Sequence, residues 1–83
     1  MPRPRSPQHR ALGRVVRSLR EEREWSQWEL AQRARVINNY IGLLERGEVD
    51  ASLSKLHQVA RALGMPASEL LARAETTRTR RST

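Results

Sequence analysis

Apolar residues recur at helical spacing through most of this chain, and no segment alternates between apolar and polar residues as a half-buried strand would. The first helix is indicated by four residues at positions i, i+3, i+4 and i+7, which line one side of a helix: Leu12, Val15, Val16 and Leu19. Because this spacing continues to the C-terminal part of the chain, the sequence predicts an all-α fold.

The start of a second helix carries the strongest local signal. Ser26 and Glu29 have the spacing of a capping box, and Trp25 and Leu30 occupy the two positions of a hydrophobic staple, which predicts a core position for Trp25. The helix that follows has a thin apolar face suited to close packing: Leu30, Ala31 and Ala34.

Three further helices are predicted after this one. The third covers about residues 38–46 and ends at Gly47, a favourable residue for the position after a helix. Ser52 caps the fourth, which ends at Gly64 and carries an apolar stripe: Leu53, Leu56, Val59, Ala60 and Leu63. Pro66 opens the fifth, whose apolar residues are Leu70, Leu71 and Ala74.

The second helix is separated from the third by only three residues: Arg35, Val36 and Ile37. A connection this short holds two helices at a steep angle, as in a helix-turn-helix. The sequence therefore predicts a compact five-helix bundle that contains a helix-turn-helix.

The third helix has an outer face without charge. Three residues at helical spacing are predicted to face the core: Ile37, Ile41 and Leu44. The opposite side carries Asn39, Gly42 and Leu43, with Asn38 at the N-terminal end. Asparagine can read adenine in the major groove and leucine can contact a thymine methyl group. The alternative is that both asparagines only cap the helix and that Gly42 has no role, and the pattern alone leaves both interpretations open.

The charge of the chain is concentrated at its ends. The 83 residues carry a formal charge of +7, of which residues 1–10 and residues 76–83 contribute three arginines each. Residues 1–10, with three prolines, are predicted to form a flexible basic arm, and residues 76–83 a flexible basic tail. The domain between them, residues 11–75, has ten basic and nine acidic residues, so the ends either attract phosphates or aid solubility.

Several classes of site are excluded or disfavoured by composition. The absence of cysteine rules out disulfides and thiolate metal sites, and His9 and His57 alone cannot form a structural zinc site. No catalytic triad or glycine-rich phosphate loop is recognisable, so we expect no enzyme activity, cofactor or small-molecule ligand. There is neither a membrane-spanning run nor a secretory signal, which predicts a cytoplasmic protein.

An ordered series of residues resembles the lambda-repressor-like (Xre/Cro-type) helix-turn-helix family. The series covers residues 12–71 and consists of Arg20, Ser26-Gln27-x-Glu29-Leu30-Ala31, Tyr40-Ile41-x-x-Leu44-Glu45-Arg46-Gly47, Ser52-Leu53-x-x-Leu56 and Ala60-x-x-Leu63-Gly64. The third helix is also similar to that of restriction–modification controller proteins. The resemblance implies a sequence-specific transcriptional regulator that binds double-stranded DNA and associates with the nucleoid.

The resemblance also implies roles for particular residues. Base edges would be read by the outer face of the third helix: Asn38, Asn39 and Leu43. The DNA backbone would be contacted by Ser26, Gln27, Tyr40 and Arg46. Arg20 and Glu45 match an internal ion pair of the family.

The family resemblance further implies a homodimer on two half-sites about 34 Å apart in a pseudo-palindrome. Candidate residues for the dimer interface come from the fifth helix and neighbouring loops: Val49, Met65 and Leu71. Two alternatives remain, an antitoxin that represses its own operon and a protein-binding adaptor on the same fold.

The chain departs from the family pattern at several positions. Glu24 and Arg35 stand where relatives often have glycine. A left-handed conformation at Arg35 would cost on the order of 1 kcal/mol or more, because its Cβ approaches the following carbonyl oxygen. Ile37 replaces the usual serine or threonine cap of the third helix. The loop Glu48-Val49-Asp50 is acidic where relatives are often basic, which weakens the expectation of phosphate contacts there.

Overall fold

A computed structural model describes residues 3–82 of the chain, and helices account for most of them. The five helices are α1 (Pro7–Glu22), α2 (Gln27–Ala34), α3 (Asn38–Glu45), α4 (Leu53–Ala62) and α5 (Ala67–Ser82). No strand occurs within residues 3–82. The predicted all-α, five-helix architecture is confirmed.

Helix α1 begins inside the segment predicted to be a flexible arm. Ser6 has an extended backbone and caps the helix, because its hydroxyl accepts a hydrogen bond from the His9 amide at 3.3 Å. Pro7 then occupies the first turn, where its missing N–H costs nothing. The prediction of an arm over residues 1–10 is therefore wrong for residues 7–10, and Met1 and Pro2 lie outside the described residues.

Helix α5 likewise extends further than predicted. It continues through Ser82, so residues 76–82 are helical rather than a separate tail. The segment after Leu70 contains neither glycine nor proline, so no residue there interrupts the helix. Thr83, the last residue of the predicted tail, lies outside the described residues.

The core lies where α1 packs against α3 and α5 and where α2 packs against α3 and α4. Its largest fully buried side chains come from all five helices or their ends: Val16, Leu30, Ile41, Leu44, Val59, Leu63 and Leu70. All seven belong to the predicted apolar faces. The helix-turn-helix is thus held in place by α4, which packs against α2, and by α1, which packs against α3.

Helices α1 and α3 approach each other closely at Gly13. A Cβ atom at this position would lie 2.4 Å from the carbonyl oxygen of Glu45 and 2.5 Å from that of Leu44. Only glycine fits, because both neighbours are backbone atoms that cannot move independently. The contact seats the C-terminal end of α3 directly on α1.

Two predicted core positions are exposed, and a third, Trp25, packs against the core without being fully buried. Ile37 and Leu53 are 72% and 69% exposed. Each lies at the start of a helix, where the chain has not yet reached the interior. Ile37 occupies the N-cap position of α3 without a side-chain capping hydrogen bond, and Leu53 is the first residue of α4. Trp25 is only partly buried, and its ring lies 4.2 Å from the Arg33 guanidinium and 5.8 Å from that of Arg23.

Candidate nucleic-acid interface

The turn between α2 and α3 is held from two sides. Arg35 adopts the left-handed conformation with φ of 61°, at the position where the family often has glycine. Its neighbour Val36 donates its amide to the Ala31 carbonyl at 3.0 Å. From α4, the Gln58 side chain donates to the carbonyls of Ala34 and Arg35 at 3.1 and 3.2 Å. Sequence reasoning missed Gln58, because nothing in the local pattern places a residue of α4 beside this turn.

The N-terminal end of α2 is exposed and well capped. The Ser26 hydroxyl accepts a hydrogen bond from the Glu29 amide at 3.0 Å, as the capping box predicts. Gln27 and Trp28 follow at the first two helical positions, and both side chains are exposed. The unpaired amides of a helix start favour an anion such as a phosphate.

A buried ion pair joins α1 to the end of α3. The Arg20 guanidinium donates to both carboxylate oxygens of Glu45, from Nε at 2.7 Å and from Nη2 at 3.1 Å. Its Nη1 also donates to the Trp25 carbonyl at 2.7 Å. The hydrogen bonding to Glu45, together with the charges of Glu45 and Glu21, raises the pKa of Arg20 despite its burial. The pair implied by the family resemblance is thus present, with both partners engaged inside the protein.

Glu45 also positions Gln27. The Gln27 side-chain amide donates to Oε1 of Glu45 at 3.0 Å, which ties the start of α2 to the end of α3. Gly42 leaves room for this arrangement, because a Cβ there would lie 3.3 Å from Oε1 of Gln27 and 3.2 Å from Nη1 of Arg46. Gly42 is therefore buried beneath two polar side chains that reach toward solvent, which explains a glycine inside α3.

Arg46 extends this polar cluster toward the loop after α3. Its Nε donates to Glu48 at 3.1 Å, and the opposite oxygen of the same carboxylate accepts a hydrogen bond from Arg5. The hydrogen bond from Arg46, together with the charge of Arg5, lowers the pKa of Glu48. The acidic loop is thus partly neutralised by arginines from outside it.

The predicted base-reading residues lie on the outer side of α3. Asn38 and Asn39 are exposed, whereas Leu43 is partly buried. The Asn38 side-chain oxygen accepts from Gln32 of α2 at 3.5 Å. The face is uncharged and bounded at one end by Gln27 and Arg46, so polar groups that suit phosphates flank groups that suit base edges.

Tyr40, predicted as a contact to the DNA backbone, lies in the core. Its hydroxyl is buried without a hydrogen-bond partner among residues 3–82, and burial together with the charge of Asp50 raises its pKa. The side-chain ammonium of Lys55 lies 5.9 Å from its ring. Tyrosine is amphipathic, so the sequence alone did not distinguish a core position from a surface one.

The three candidate residues of the dimer interface differ in exposure. Val49 and Met65 are partly buried and pack against the core. Leu71 on α5 is 41% exposed, although its neighbour Leu70 is fully buried. Leu71 is therefore the member of this set with the most apolar surface available to a partner.

Residues 3–82 contain neither a cluster of metal-ligating side chains nor a helix able to span a membrane. No group of three or more histidine or carboxylate side chains comes together there in an arrangement that suits a metal ion. None of the helices in this part of the chain has the length and hydropathy needed to span a membrane.

Comparison with known proteins identifies the family. A model described as a helix-turn-helix domain matches residues 11–73. The immunity repressor of Bacillus phage phi105 is 35% identical over 60 residues, which cover 72% of this chain and 42% of the repressor. The chain belongs to the helix-turn-helix family of transcriptional regulators. It spans less than half the length of that curated relative.

Solved helix-turn-helix structures agree with this assignment. The clp gene regulator ClgR from Corynebacterium glutamicum is 32% identical with a TM-score of 0.83, covering 90% of this chain and 80% of its own. The restriction–modification controller protein C.AhdI from Aeromonas hydrophila is 33% identical with a TM-score of 0.71, covering 74% and 92%. The resemblance inferred from the sequence is confirmed, and the family is one of regulators rather than enzymes.

Proposed function

We propose that this protein is a sequence-specific DNA-binding transcriptional regulator in which α3 enters the major groove. The observation that carries the proposal is the uncharged outer face of α3, on which Asn38 and Asn39 are exposed, with Gln27 of α2 lying next to Gly42 of the same helix. In this proposal the two asparagines and Leu43 read base edges, and Gln27, Ser26 and Arg46 contact phosphates. Tyr40 is left out because its hydroxyl is buried.

The bonding around Glu45 supports this division of roles. Because Glu45 accepts from both Arg20 and Gln27, the Gln27 amide is held in one position before any ligand arrives. A pre-positioned donor loses less conformational entropy when it binds a phosphate. One of the two amide hydrogens of Gln27 serves Glu45, which leaves the second for a ligand.

The active form in this proposal is a homodimer. A two-fold dimer presents two copies of α3 to a pseudo-palindromic operator, with half-sites about 34 Å apart. In this proposal Leu71, which is 41% exposed, supplies most of the apolar surface of the interface, and the partly buried Val49 and Met65 contribute less. Such a regulator acts in the cytoplasm, on the nucleoid.

The test is selection of duplexes from a random pool, followed by variants. We expect the full chain to enrich one pseudo-palindromic sequence. Asn39→Ala should relax the preference at particular base pairs, each contact contributing about 1–3 kcal/mol of discrimination. Gln27→Ala should instead weaken binding to every sequence by a similar factor.

Each possible result bears on the proposal directly. Failure of the wild-type chain to enrich any sequence would contradict specific recognition. An unchanged preference in Asn39→Ala would remove α3 as the reading element. Co-purification of a second polypeptide, in place of DNA binding, would favour the antitoxin or adaptor.

A further inference from the structure

Residues 3–10, here called the N-terminal segment, lie against the loop that follows α3. The Arg3 amide donates to the Glu48 carbonyl at 3.3 Å, and the Arg5 guanidinium donates to the Glu48 carboxylate. Nε2 of His9 lies 3.2 Å from Asp50. Three independent contacts therefore bind this segment to the two acidic residues of the loop.

The fit extends to the backbone at the start of α1. Gly47 has φ of +75°, and a Cβ on it would lie 3.1 Å from both the Cα and the amide nitrogen of Arg10. Glycine thus serves twice here, since it permits the left-handed conformation and admits the first turn of α1. The loop and the N-terminal segment are shaped to each other.

This docking reverses the local charge. Residues 46–50 by themselves carry Arg46 against Glu48 and Asp50, a formal charge of −1. The N-terminal segment adds three arginines and no acidic residue, which brings the combined surface to +2. The acidic loop, unfavourable for phosphate on its own, becomes part of a basic surface.

The basic surface adjoins the proposed phosphate contacts. Arg46 and Gln27 both lie within 3.3 Å of the position that a Cβ of Gly42 would occupy, and Arg46 also shares the Glu48 carboxylate with Arg5. A continuous chain of contacts thus leads from the start of α2, across α3, to the N-terminal segment. Any duplex bound to Gln27 and Arg46 would run beside this segment.

We propose that Glu48 and Asp50 dock the N-terminal segment so that Arg3, Arg5 and Arg10 form a second phosphate-binding surface next to Gln27 and Arg46. The partner is the phosphate backbone of the duplex, and the inference rests on the proposed function. Glu48 acts as a positioning residue, since it is itself negative and works through the arginines it holds.

Two triple variants of equal charge test the proposal. Arg3→Ala/Arg5→Ala/Arg10→Ala and the control Arg78→Ala/Arg80→Ala/Arg81→Ala each reduce the formal charge of the full chain by three. Affinity for the selected duplex is measured over a range of KCl concentrations. We expect the slope of log affinity against log salt to fall by about two to three in the first variant, and by less than about one in the control.

Glu48→Gln is a second test, because diffuse charge attraction and loss of docking predict opposite changes in DNA affinity. This change raises the net charge by one, so a merely diffuse attraction would tighten DNA binding. Loss of docking should instead weaken it, by about three- to tenfold, because Arg5 and Arg46 lose their common carboxylate. The thermal unfolding midpoint of each variant shows whether the fold is retained.

The outcomes separate this inference from the proposed function. Equal slopes in the two triple variants, or tighter binding by Glu48→Gln, would overturn the docked surface while leaving specific recognition intact. Absence of duplex binding by the wild-type chain would overturn both. The inference is supported if the salt dependence falls strongly only in the Arg3→Ala/Arg5→Ala/Arg10→Ala variant and if Glu48→Gln binds the duplex more weakly than wild type.

Discussion

Gly13 and Gly42 both lie inside helices, where glycine costs about 1 kcal/mol relative to alanine. Their surroundings differ, because Gly13 faces the backbone of α3 and Gly42 faces the ends of two polar side chains. Backbone atoms cannot move away from a methyl group, whereas side-chain ends can. Substitution by alanine should therefore have opposite consequences for stability at the two positions.

Gly13→Ala is expected to destabilise the fold. The methyl group would lie 2.4 Å from the Glu45 carbonyl oxygen, so α1 and α3 must separate. Overpacking of this kind costs roughly 1–3 kcal/mol, which should outweigh the gain in helix propensity. Urea unfolding measures the change, with Ser18→Ala as the control on the exposed side of α1. Equal stability of Gly13→Ala and wild type would contradict the close approach.

Gly42→Ala is expected to keep or raise stability while weakening DNA binding. Helix propensity favours alanine by about 1 kcal/mol, and Gln27 and Arg46 need to move only a few tenths of an ångström. Displacement of Gln27 should lower affinity for all duplexes about two- to tenfold, with base preference unchanged. Urea unfolding and duplex titration give the two values. A loss of preference instead would mean that α3 itself has shifted.

Helix ends show how far the sequence determines the elements. Ser26 and Ser52 cap α2 and α4 as predicted, and Gly47 follows α3 with positive φ, because these signals act within one turn of the chain. The sequence does not mark Ser6 as a cap, since its surroundings are rich in proline and arginine. Periodicity predicts a core position for Ile37, which is exposed, because periodicity does not determine where a helix enters the interior.

Local sequence patterns do not predict side-chain contacts between elements that are distant along the chain. The resemblance to the family implied the Arg20–Glu45 pair, but no pattern indicated that Gln27 would share Glu45. The pairing of Arg5 with Glu48 joins residues 43 positions apart. Such contacts depend on how the helices pack together, and the local pattern does not show, for example, that Gly13 lies against the α3 backbone.

The ion pairs of the loop after α3 should be detectable in the titration of the Glu48 carboxyl group. The hydrogen bond from Arg46 and the charge of Arg5 hold the pKa of Glu48 below its usual range. A carboxyl with a lowered pKa in the folded state stabilises the fold above the pKa of the unfolded chain, and this contribution is lost as pH falls through the folded-state pKa. We therefore expect Glu48 to stay ionised at lower pH than an unperturbed glutamate does.

Carbon-13 NMR of the side-chain carboxyl groups measures this value. Arg46→Ala should raise the Glu48 pKa toward its ordinary value, because it removes the largest cause of the shift. Arg5→Ala should do so to a smaller extent. An ordinary Glu48 pKa in the wild-type chain would show that neither arginine holds the carboxylate in solution.

The size of the molecule bears on its assembly. A domain of about 60–80 residues buries a small core and has little stability to spare. Association of two copies adds buried apolar surface and makes unfolding depend on concentration. Exposed Leu71 on α5 offers such surface at the edge of a helix face that, with Leu70 and Ala74, is already in the core.

Leu71→Glu is expected to give a monomer that keeps the fold. A charge at the centre of an apolar interface would remain desolvated and unpaired in each copy of a two-fold dimer. Leu53→Glu is the matched control, because Leu53 is another exposed leucine but lies at the start of α4, outside the proposed interface. Sedimentation velocity should show a dimer for wild type and for Leu53→Glu, and a monomer for Leu71→Glu.

The monomer should bind an isolated half-site like wild type but lose the added affinity for a full pseudo-palindrome. A wild-type chain that sediments as a monomer even on the full site would contradict the dimer. A Leu71→Glu chain that remains dimeric would place the interface elsewhere.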